Sequence, residues 1–299
     1  MAASARYVAT DRPAPRAWLT RYLQLQKRYD VDVAVLLRQA MVAAERELAL
    51  IEGTGVGALV RSAQLMQAVT AISHALSDLW LSMGDLLRAG QQDARTEALK
   101  QSFSLDKTLL YLEVPPGKRA AMLNNLLEAS RFDVEAALAR VYRSRLPLAE
   151  QVYRTAELTR SWVESRVTKA LARGATPQQL AAEVRRFINP KTPGGASYAA
   201  MRLARTEINN AYHAVIIVHN EDKPWVTTMK WNLSGSHPTV DICDAYARKN
   251  GGQFPKSKVP PKPHPQCLCY ITPVVIDDVT FARKFRAGDY QGYMTRTYG

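Results

Sequence analysis

The sequence predicts a mainly α-helical protein with a small α+β domain near its C-terminal end. The stretch from about residue 18 to 87 is rich in Ala, Leu, Gln, Arg and Glu, contains no proline, and repeats its apolar residues at helical spacing. After the Pro- and Gly-rich segment "NPKTPGGAS" the chain changes to short strand-like and loop-like segments. We therefore expect a helical region over residues 1–190, an α+β domain over 191–276, and a basic, tyrosine-bearing tail over 277–299.

One helix of the first region carries a heptad pattern. Its apolar residues are spaced alternately by four and three positions, which is typical of a helix that packs along a partner helix. They are Leu65, Val69, Ile72, Leu76, Leu79, Met83 and Leu86. The expected partner is a second helix of the same chain; a helix shared between subunits, and hence self-association, is the alternative.

The second region contains one more helix followed by strand signals. Tyr198 to Asn220 predicts a helix, and "WVTTMKWNLS", from Trp225 to Ser234, alternates in the manner of a half-buried strand. Asp241 to Lys249 predicts a short helix, "NGG" a turn, and "FPKSKVPPKP" an extended loop. Tyr270 to Ile276 is expected to pair as a further strand.

Charge and cysteine content restrict the class of protein. Forty Lys and Arg residues against 27 Asp and Glu give a net charge of +13, which favours phosphate-rich partners or an acidic protein surface. Three cysteines without disulfide-rich spacing indicate a reducing compartment. Because the sequence has neither a secretory signal nor a run of about 20 apolar residues, we expect assembly in the cytoplasm and no membrane partner.

The segment "PKPHPQCLCYITPV" brings metal-binding residue types together. Cys267 and Cys269 are two positions apart, so in an extended segment their sulfurs point to one side. His264 lies close by, and Cys243 and His237 are further candidates. Zinc prefers four such ligands; a site filled by protein is structural, whereas an open position admits a reactive water. Free thiols or a disulfide to Cys243 remain alternatives.

An enzymatic interpretation is the second hypothesis. A metal-dependent nuclease or hydrolase could use His237 or Glu207 as general base, and Asp241 and His264 add nuclease-like residue types. The His-Asn-His arrangement of such nucleases is absent, and no residue marks one cysteine as a nucleophile. We therefore expect a binding protein without catalytic residues.

The order of motifs from about Thr176 to Val275 resembles the phage minor head protein family typified by the Mu F protein, also called phage head morphogenesis proteins. The matching segments are "GATPQQLAAEVRRFI", "ARTEINNAYHAV", "KWNLSGSHPTVDICDAYARKNGGQF" and "PPKPHPQCLCYITPV". In the family pattern an Arg-Thr-Glu helix leads through a strand and a Cys-bearing, Gly-ended segment to His-Pro-x-Cys-x-Cys. The corresponding residues are Arg205, Thr206, Glu207 and Gly251. We expect Arg205 and Glu207 to brace the adjoining strand and metal loop by salt bridges.

The chain departs from the family pattern at one position. The family often has a Cys-x-x-Cys pair before the Gly turn, but here Val240 occupies the first position. If the family's metal site persists, a histidine must complete it. The favoured zinc ligands are then Cys243, His264, Cys267 and Cys269, with His237 as the alternative fourth ligand.

The resemblance implies a virion protein that acts in head morphogenesis inside the capsid, at the portal vertex. The implied partners are the portal protein, the major capsid or scaffolding protein, and packaged DNA whose packaging or ejection the protein would assist. A basic DNA-binding adaptor outside the virion is a third hypothesis. The expected contacts to DNA or portal are the basic residues Lys256, Lys258, Lys262, Arg283, Lys284, Arg286 and Arg296, with Tyr290, Tyr293 and Tyr298.

Overall fold

The fold is that of a computed structural model, which describes residues 16–52, 58–111, 113–129, 133–173, 195–235 and 239–299 and a few single positions between 179 and 187. The described residues contain nine α-helices and one small antiparallel sheet, which confirms the predicted fold class. The helices are α1 (Arg16–Glu52), α2 (Ala58–Leu109), α3 (Pro116–Glu128), α4 (Val134–Val141), α5 (Leu148–Ala172), α6 (Ala196–Glu221), α7 (Ile242–Arg248), α8 (Asp278–Arg286) and α9 (Gln291–Tyr298). The strands are β1 (Val226–Asn232), β2 (Gln253–Pro255) and β3 (Tyr270–Val275).

The chain forms two compact units, and each combines separate stretches of sequence. The hairpin unit consists of residues 26–90 and 146–207. The C-terminal unit consists of residues up to 25, 91–145 and 208–299. The three regions predicted from the sequence, 1–190, 191–276 and 277–299, are continuous stretches of chain and stay a prediction.

The heptad seam packs within the hairpin unit. Its middle residues are buried in one cluster with residues of α1 that have the same four-three-four spacing. The α2 members are Ile72, Leu76, Leu79 and Met83, and the α1 members are Val33, Leu37, Ala40 and Ala44. The seam therefore has its partner helix in the same chain, as expected from a pair of facing apolar stripes. The side chains of Leu65 and Val69 lie outside the described residues.

The helix expected after residue 174 is mostly outside the described residues, including its predicted cap Thr176 and first-turn Pro177. Phe187, from its predicted apolar face, is described and is buried. The Phe187 ring stacks on that of Trp162, with ring centroids 3.5 Å apart and planes 7° from parallel. This contact adds an aromatic pair to the core of the hairpin unit.

The sheet of the C-terminal unit has the strand order β2-β1-β3, with both pairs antiparallel. Met229 of β1 lies opposite Phe254 on one side and Pro273 on the other. Trp225, just before β1, and Met229 and Trp231 within it are almost fully buried, so the central strand is anchored by large apolar side chains. Both strands expected from the sequence are present.

The segment expected to be a basic tail is instead folded as α8 and α9. Asp277 caps α8 by accepting a hydrogen bond from the Thr280 backbone N–H (2.8 Å). Tyr290 and Tyr293 pack edge-on against Trp225, with centroids 5.3 and 5.1 Å away. Tyr290, Tyr293 and Tyr298 are buried, so little of their side chains is accessible for the contact with DNA or portal that the sequence predicts.

A buried ion pair lies at the centre of the C-terminal unit. Asp106 of α2 and Lys223, after α6, are each 1% exposed, and the Lys223 Nζ lies 2.7 Å from the Asp106 carboxylate. The same carboxylate accepts hydrogen bonds from Trp225 Nε1 (2.8 Å) and the Tyr298 hydroxyl (2.7 Å). One carboxylate thus joins α2, the start of β1 and the last helix.

We expect Asp106→Asn to lower the free energy of unfolding by about 3–5 kcal/mol, because it leaves the buried Lys223 ammonium without its counter-charge. The matched control is Glu221→Gln, which removes the partner of Arg140, whose side chain is 54% exposed. Loss of this pair should cost about 1 kcal/mol or less. Urea denaturation measures both, and equal losses would contradict the central role of Asp106.

His213 is a buried, neutral histidine of the same unit. Its Nε2 lies 3.0 Å from the Pro260 carbonyl oxygen, and its Nδ1 has no hydrogen-bond partner among the described residues. Burial, assisted by the charge of Lys262, lowers the pKa of His213 to about 3. An unfolded chain binds the proton near pH 6.5, so between about pH 6.5 and 3 the unfolded state takes up a proton that the folded state does not.

Stability is therefore expected to fall as the pH falls below 6.5, and His213 should contribute up to about 1.4 kcal/mol per pH unit. In His213→Gln that contribution is absent, so the free energy of unfolding should depend less steeply on pH. Urea denaturation at pH 7, 6 and 5 measures both slopes. Equal slopes in the wild type and the variant would contradict the assignment.

Candidate metal centre

Two segments of the C-terminal unit bring the predicted ligands together. Cys243 lies in the first turn of α7, which begins at a capping box formed by Asp241 and Asp244. Asp241 Oδ1 accepts a hydrogen bond from the Cys243 backbone N–H at 2.6 Å, which fixes the start of the helix. Cys267 and Cys269 approach from the other segment, just before β3. The capping box and the sheet thus position the three thiols.

The three sulfur atoms form a compact buried cluster. All lie within 4.8 Å of one another, and the exposed fractions of Cys243, Cys267 and Cys269 are 0, 2 and 0%. The Cys243 and Cys267 sulfurs are 3.6 Å apart, well beyond the roughly 2.05 Å of a disulfide bond. The three cysteines are free, so the disulfide alternative is not what the structure contains.

His264 lies against this cluster. Its Nε2 is 3.3 Å from the Cys243 sulfur, and its Nδ1 is 3.0 Å from the Pro265 carbonyl oxygen. A proton on Nδ1 can be donated to that carbonyl, which leaves the Nε2 lone pair directed at the cluster. Histidines that bind metals are commonly oriented by such a bond from the other ring nitrogen.

Asp241 is a fifth potential ligand that sequence reasoning assigned only to a nuclease. Its Oδ2 lies 3.1 Å from His264 Nε2, and Asp241, Cys243 and His264 form a second group within 4.8 Å. The feature of the sequence that could have identified Asp241 as a ligand is its place two residues before Cys243, where it caps the helix. The three cysteines with His264 and Asp241 could hold a metal ion. His237, the alternative ligand, lies outside the described residues.

Burial disfavours the charged form of the thiols. It raises the pKa of Cys243 to about 12. A hydrogen bond with Cys269, followed by burial, raises the pKa of Cys267 well above the usual range. Since metals bind thiolates, a cation entering the cluster would have to displace these protons.

Lys262 is a buried residue that holds the backbone of the cysteine cluster. Only 8% of the residue is exposed, and its ammonium donates to the carbonyl oxygens of both Cys267 and Cys269 at 2.7 Å. Burial lowers the pKa of Lys262 to about 8, against the opposing effect of the cysteines. The Lys262 ammonium is thus directed into the protein, and its contact with DNA or portal stays a prediction of the sequence.

Two further side chains hold the same backbone segment. The Lys262 ammonium lies 3.2 Å from the hydroxyl of Tyr22, which donates to the side-chain oxygen of Asn209 at 2.6 Å. The Asn209 amide nitrogen in turn donates to the Cys267 carbonyl oxygen at 3.2 Å. Sequence reasoning missed both residues, because Tyr22 and Asn209 are far from the motif in the chain.

The Arg-Thr-Glu triplet makes different contacts from those expected. Arg205 belongs to the hairpin unit, and its guanidinium pairs with both carboxylate oxygens of Asp30 in α1, at 2.7 and 2.9 Å. Thr206 donates to the Arg202 carbonyl oxygen within the same helix, and Glu207 is buried. The expected brace of Arg205 on the metal loop is thus replaced by an ion pair between two long helices.

The "NGG" turn contains the glycine that close packing requires, but one residue after the predicted one. Gly251 has φ +63°, and a Cβ there would meet no atom within 4 Å. At Gly252, with φ +80°, a Cβ would lie 2.8 Å from the Trp231 carbonyl oxygen. Gly252 therefore allows the turn to approach β1.

The other basic residues predicted to contact DNA or portal differ in exposure and in their partners. Lys256 is partly buried and donates to the Lys223 carbonyl oxygen at 2.7 Å, while Arg286 pairs with Glu113 at 2.8 and 3.1 Å. The exposed members of the set are Lys258, Arg283, Lys284, Arg286 and Arg296, of which Arg286 is paired with Glu113. Val240, where the family often has cysteine, is 78% exposed.

No described helix combines the length and apolarity needed to cross a membrane. Comparisons of the chain with protein-family models, with curated proteins and with solved structures found no match.

Proposed function

We propose that the protein is a non-enzymatic phage head morphogenesis protein whose C-terminal unit is fastened by a structural zinc ion. The observation that carries the zinc assignment is the buried group of Cys243, Cys267, Cys269 and His264. Four protein ligands fill a tetrahedral zinc shell and leave no position for a reactive water. The proposed role of the ion is to hold α7 to the segment that leads into β3.

The distances suit zinc. Zn–S bonds of about 2.3 Å at tetrahedral angles place two sulfurs about 3.8 Å apart, and a Zn–N bond of about 2.0–2.1 Å places nitrogen and sulfur about 3.6 Å apart. The corresponding distances are 3.6 Å for Cys243 and Cys267, and 3.3 Å for Cys243 and His264. A thiolate-rich site of this kind also favours zinc over magnesium or calcium, which prefer oxygen ligands.

Lys262 supplies the charge that such a site would need. Three thiolates and one Zn²⁺ leave one net negative charge in a buried place, which costs free energy unless it is compensated. The Lys262 ammonium, hydrogen-bonded to the carbonyls of Cys267 and Cys269, brings one positive charge next to it. The cluster and Lys262 together can thus be neutral.

The role in the phage head is supported by the sequence resemblance and by charge. The family motifs extend from about Thr176 to Val275, and the net charge of +13 suits a place beside packaged DNA or an acidic portal surface. In this proposal the portal protein is the main partner and the capsid interior the location. Among the contacts expected from the sequence, the exposed ones are Lys258, Arg283, Lys284, Arg286 and Arg296.

Cys267→Ser is expected to abolish stoichiometric zinc binding and to lower the melting temperature, because a neutral hydroxyl is a poor replacement for a thiolate ligand. His264→Asn should likewise reduce zinc binding and lower the melting temperature. The control is His74→Asn, which makes the same change at an exposed position and should alter neither. Elemental analysis and calorimetry measure both effects. If the wild type holds no zinc and Cys267→Ser melts at the same temperature, the zinc proposal is wrong.

The fourth ligand can be identified by comparing three variants. If His264 is the ligand, His264→Asn loses zinc while Asp241→Asn and His237→Asn retain it. Cobalt substitution and its visible spectrum report the number of thiolate and other ligands in each variant. Loss of zinc in Asp241→Asn alone would replace His264 by the carboxylate.

Lys262→Met is expected to weaken zinc binding by about tenfold or more, because residues behind a metal site typically contribute that much. Lys258→Met is the matched control: it makes the same change four residues earlier, at an exposed position. Competition with a chelator measures the affinities. Unfolding stability is a poor readout here, since a buried methionine can stabilise the fold as the ammonium is lost. Equal zinc affinities in the two variants would contradict the proposed role of Lys262.

The head role is tested by co-expression with the portal protein of the same genome, followed by sizing chromatography, and by mass spectrometry of purified virions. The proposal expects co-elution with the portal oligomer and presence in the particle. Absence from both would overturn it. Incubation with DNA and divalent metal tests the nuclease alternative, for which a filled zinc site predicts intact DNA.

A further inference from the structure

A basic cavity in the C-terminal unit lies between α2 and the beginning of α3. It has a volume of about 460 Å³, and its lining contains the four cationic residues Arg21, Lys100, Lys107 and Arg119, with Ser104. No acidic residue lines it among the described residues. Several positive charges around one concave space raise the local positive potential and favour the binding of an anion.

Arg119 is the central observation. The residue is only 6% exposed, and its Nη1 donates to the Tyr111 carbonyl oxygen at 2.8 Å. Its Nε is buried and has no hydrogen-bond partner in the described part of the chain. No carboxylate among the described residues pairs with the guanidinium, whereas a buried charge normally has a counter-charge.

The neighbouring charges also remain available. Arg21 and Lys100 both approach Glu97, at 3.8 and 3.1 Å, so one carboxylate serves two cations. Lys107 is exposed. The lining thus keeps an excess of positive charge even after its ion pairs are counted.

The N-terminus of α3 adds to the positive potential. This helix of 13 residues begins after Pro115 without a side-chain cap, and its first turn has no acidic residue. Helix N-termini favour anions, because the helix dipole and unpaired N–H groups are positive there. Pro116, Arg119 and Ala120 of this helix line the cavity.

A second cavity of about 520 Å³ adjoins the first and shares Ser104 and Lys107 with it. Tyr111 lines this second cavity and is 66% exposed. The carbon at the centre of the Arg119 guanidinium lies 4.9 Å from the centroid of the Tyr111 ring. Glu113 and Asp278 also line this second cavity, so it disfavours a phosphate. An exposed aromatic ring beside a basic cavity is an arrangement that accepts a base next to its phosphate.

We propose that the first cavity binds a phosphate group of a nucleotide or nucleic acid strand, with the attached base against Tyr111. The Arg119 guanidinium offers the donors, and Lys107 the mobile charge, that phosphate oxygens require. The site uses no residue of the metal centre, so the two proposals fail independently.

The test uses fluorescence anisotropy of the full-length protein with a fluorescein-labelled strand of twelve thymidines at about 50 mM salt. Lys107→Gln and Arg119→Lys should each weaken binding about tenfold, the loss expected for one hydrogen bond to a charged group. Lys118→Gln is the matched control: it removes one charge from the first turn of α3 at a residue that does not line the cavity, and should change affinity less than about twofold. Because Lys107 is exposed, Lys107→Gln is not expected to disturb the packing of the core.

Further experiments distinguish a free nucleotide from a nucleic acid strand as the ligand that carries the phosphate. Tyr111→Ala should weaken the thymidine strand about tenfold but leave pyrophosphate binding unchanged, since only the strand has bases to stack. Competition by pyrophosphate and AMP at comparable affinity would assign a free nucleotide, and competition only by the strand would assign nucleic acid. A methylphosphonate strand, which lacks the charges, should not bind.

Three results would overturn the proposal. The first is that neither the thymidine strand nor pyrophosphate binds. The second is that Lys118→Gln weakens binding as much as Lys107→Gln, which would indicate general surface charge. The third is that a glutamate-rich peptide binds as tightly as the strand, which would assign the cavity to an acidic protein.

Discussion

The C-terminal unit depends on one buried carboxylate. Asp106 receives the Lys223 ammonium, the Trp225 indole N–H and the Tyr298 hydroxyl, which come from three distant parts of the chain. These donors fix where β1 begins and where the last helix ends. The sheet that follows Trp225 carries the strand next to the cysteine cluster, so the position of the candidate metal centre depends on this polar contact as well as on apolar packing. A buried ion pair is a modest source of stability but a strong determinant of a single arrangement, because each partner is costly without the other.

The candidate metal centre also has a buried charge at its centre. A buried cation, Lys262, lies where a thiolate cluster would leave negative charge, and it holds the two backbone carbonyls that flank the sulfurs. Tyr22 and Asn209 extend that support into two helices of the unit. Side chains that share hydrogen bonds in this way limit one another's rotamers. These contacts hold the backbone that carries the sulfurs, which reduces the ordering that binding of a metal ion would require.

Local patterns in the sequence predicted the local structure well. The heptad spacing of Ile72, Leu76, Leu79 and Met83 predicted a packed seam, and the Cys-x-Cys spacing predicted two sulfurs on one side. The errors concern contacts between distant residues. The sequence predicts Lys262 as a surface charge, because nothing near it in the chain reveals the Tyr22 hydroxyl, which is 240 residues away. The sequence predicts a tail in place of the last two described helices, because the packing of their few apolar residues around Trp225 is visible only in the structure. Asp241 was available as a ligand but lacked the spacing of a known motif.

The interleaving of the two units also bears on synthesis. The Tyr298 hydroxyl and the Asp106 carboxylate to which it donates are 192 residues apart in the chain. Closing so long a loop is slow compared with forming local helices. On the ribosome, the α1–α2 pairing of the hairpin unit can form early, because its partners are close in sequence. The C-terminal unit can close only after the residues around Tyr298 have been synthesised, and until then the Asp106 carboxylate lacks one of its hydrogen-bond donors.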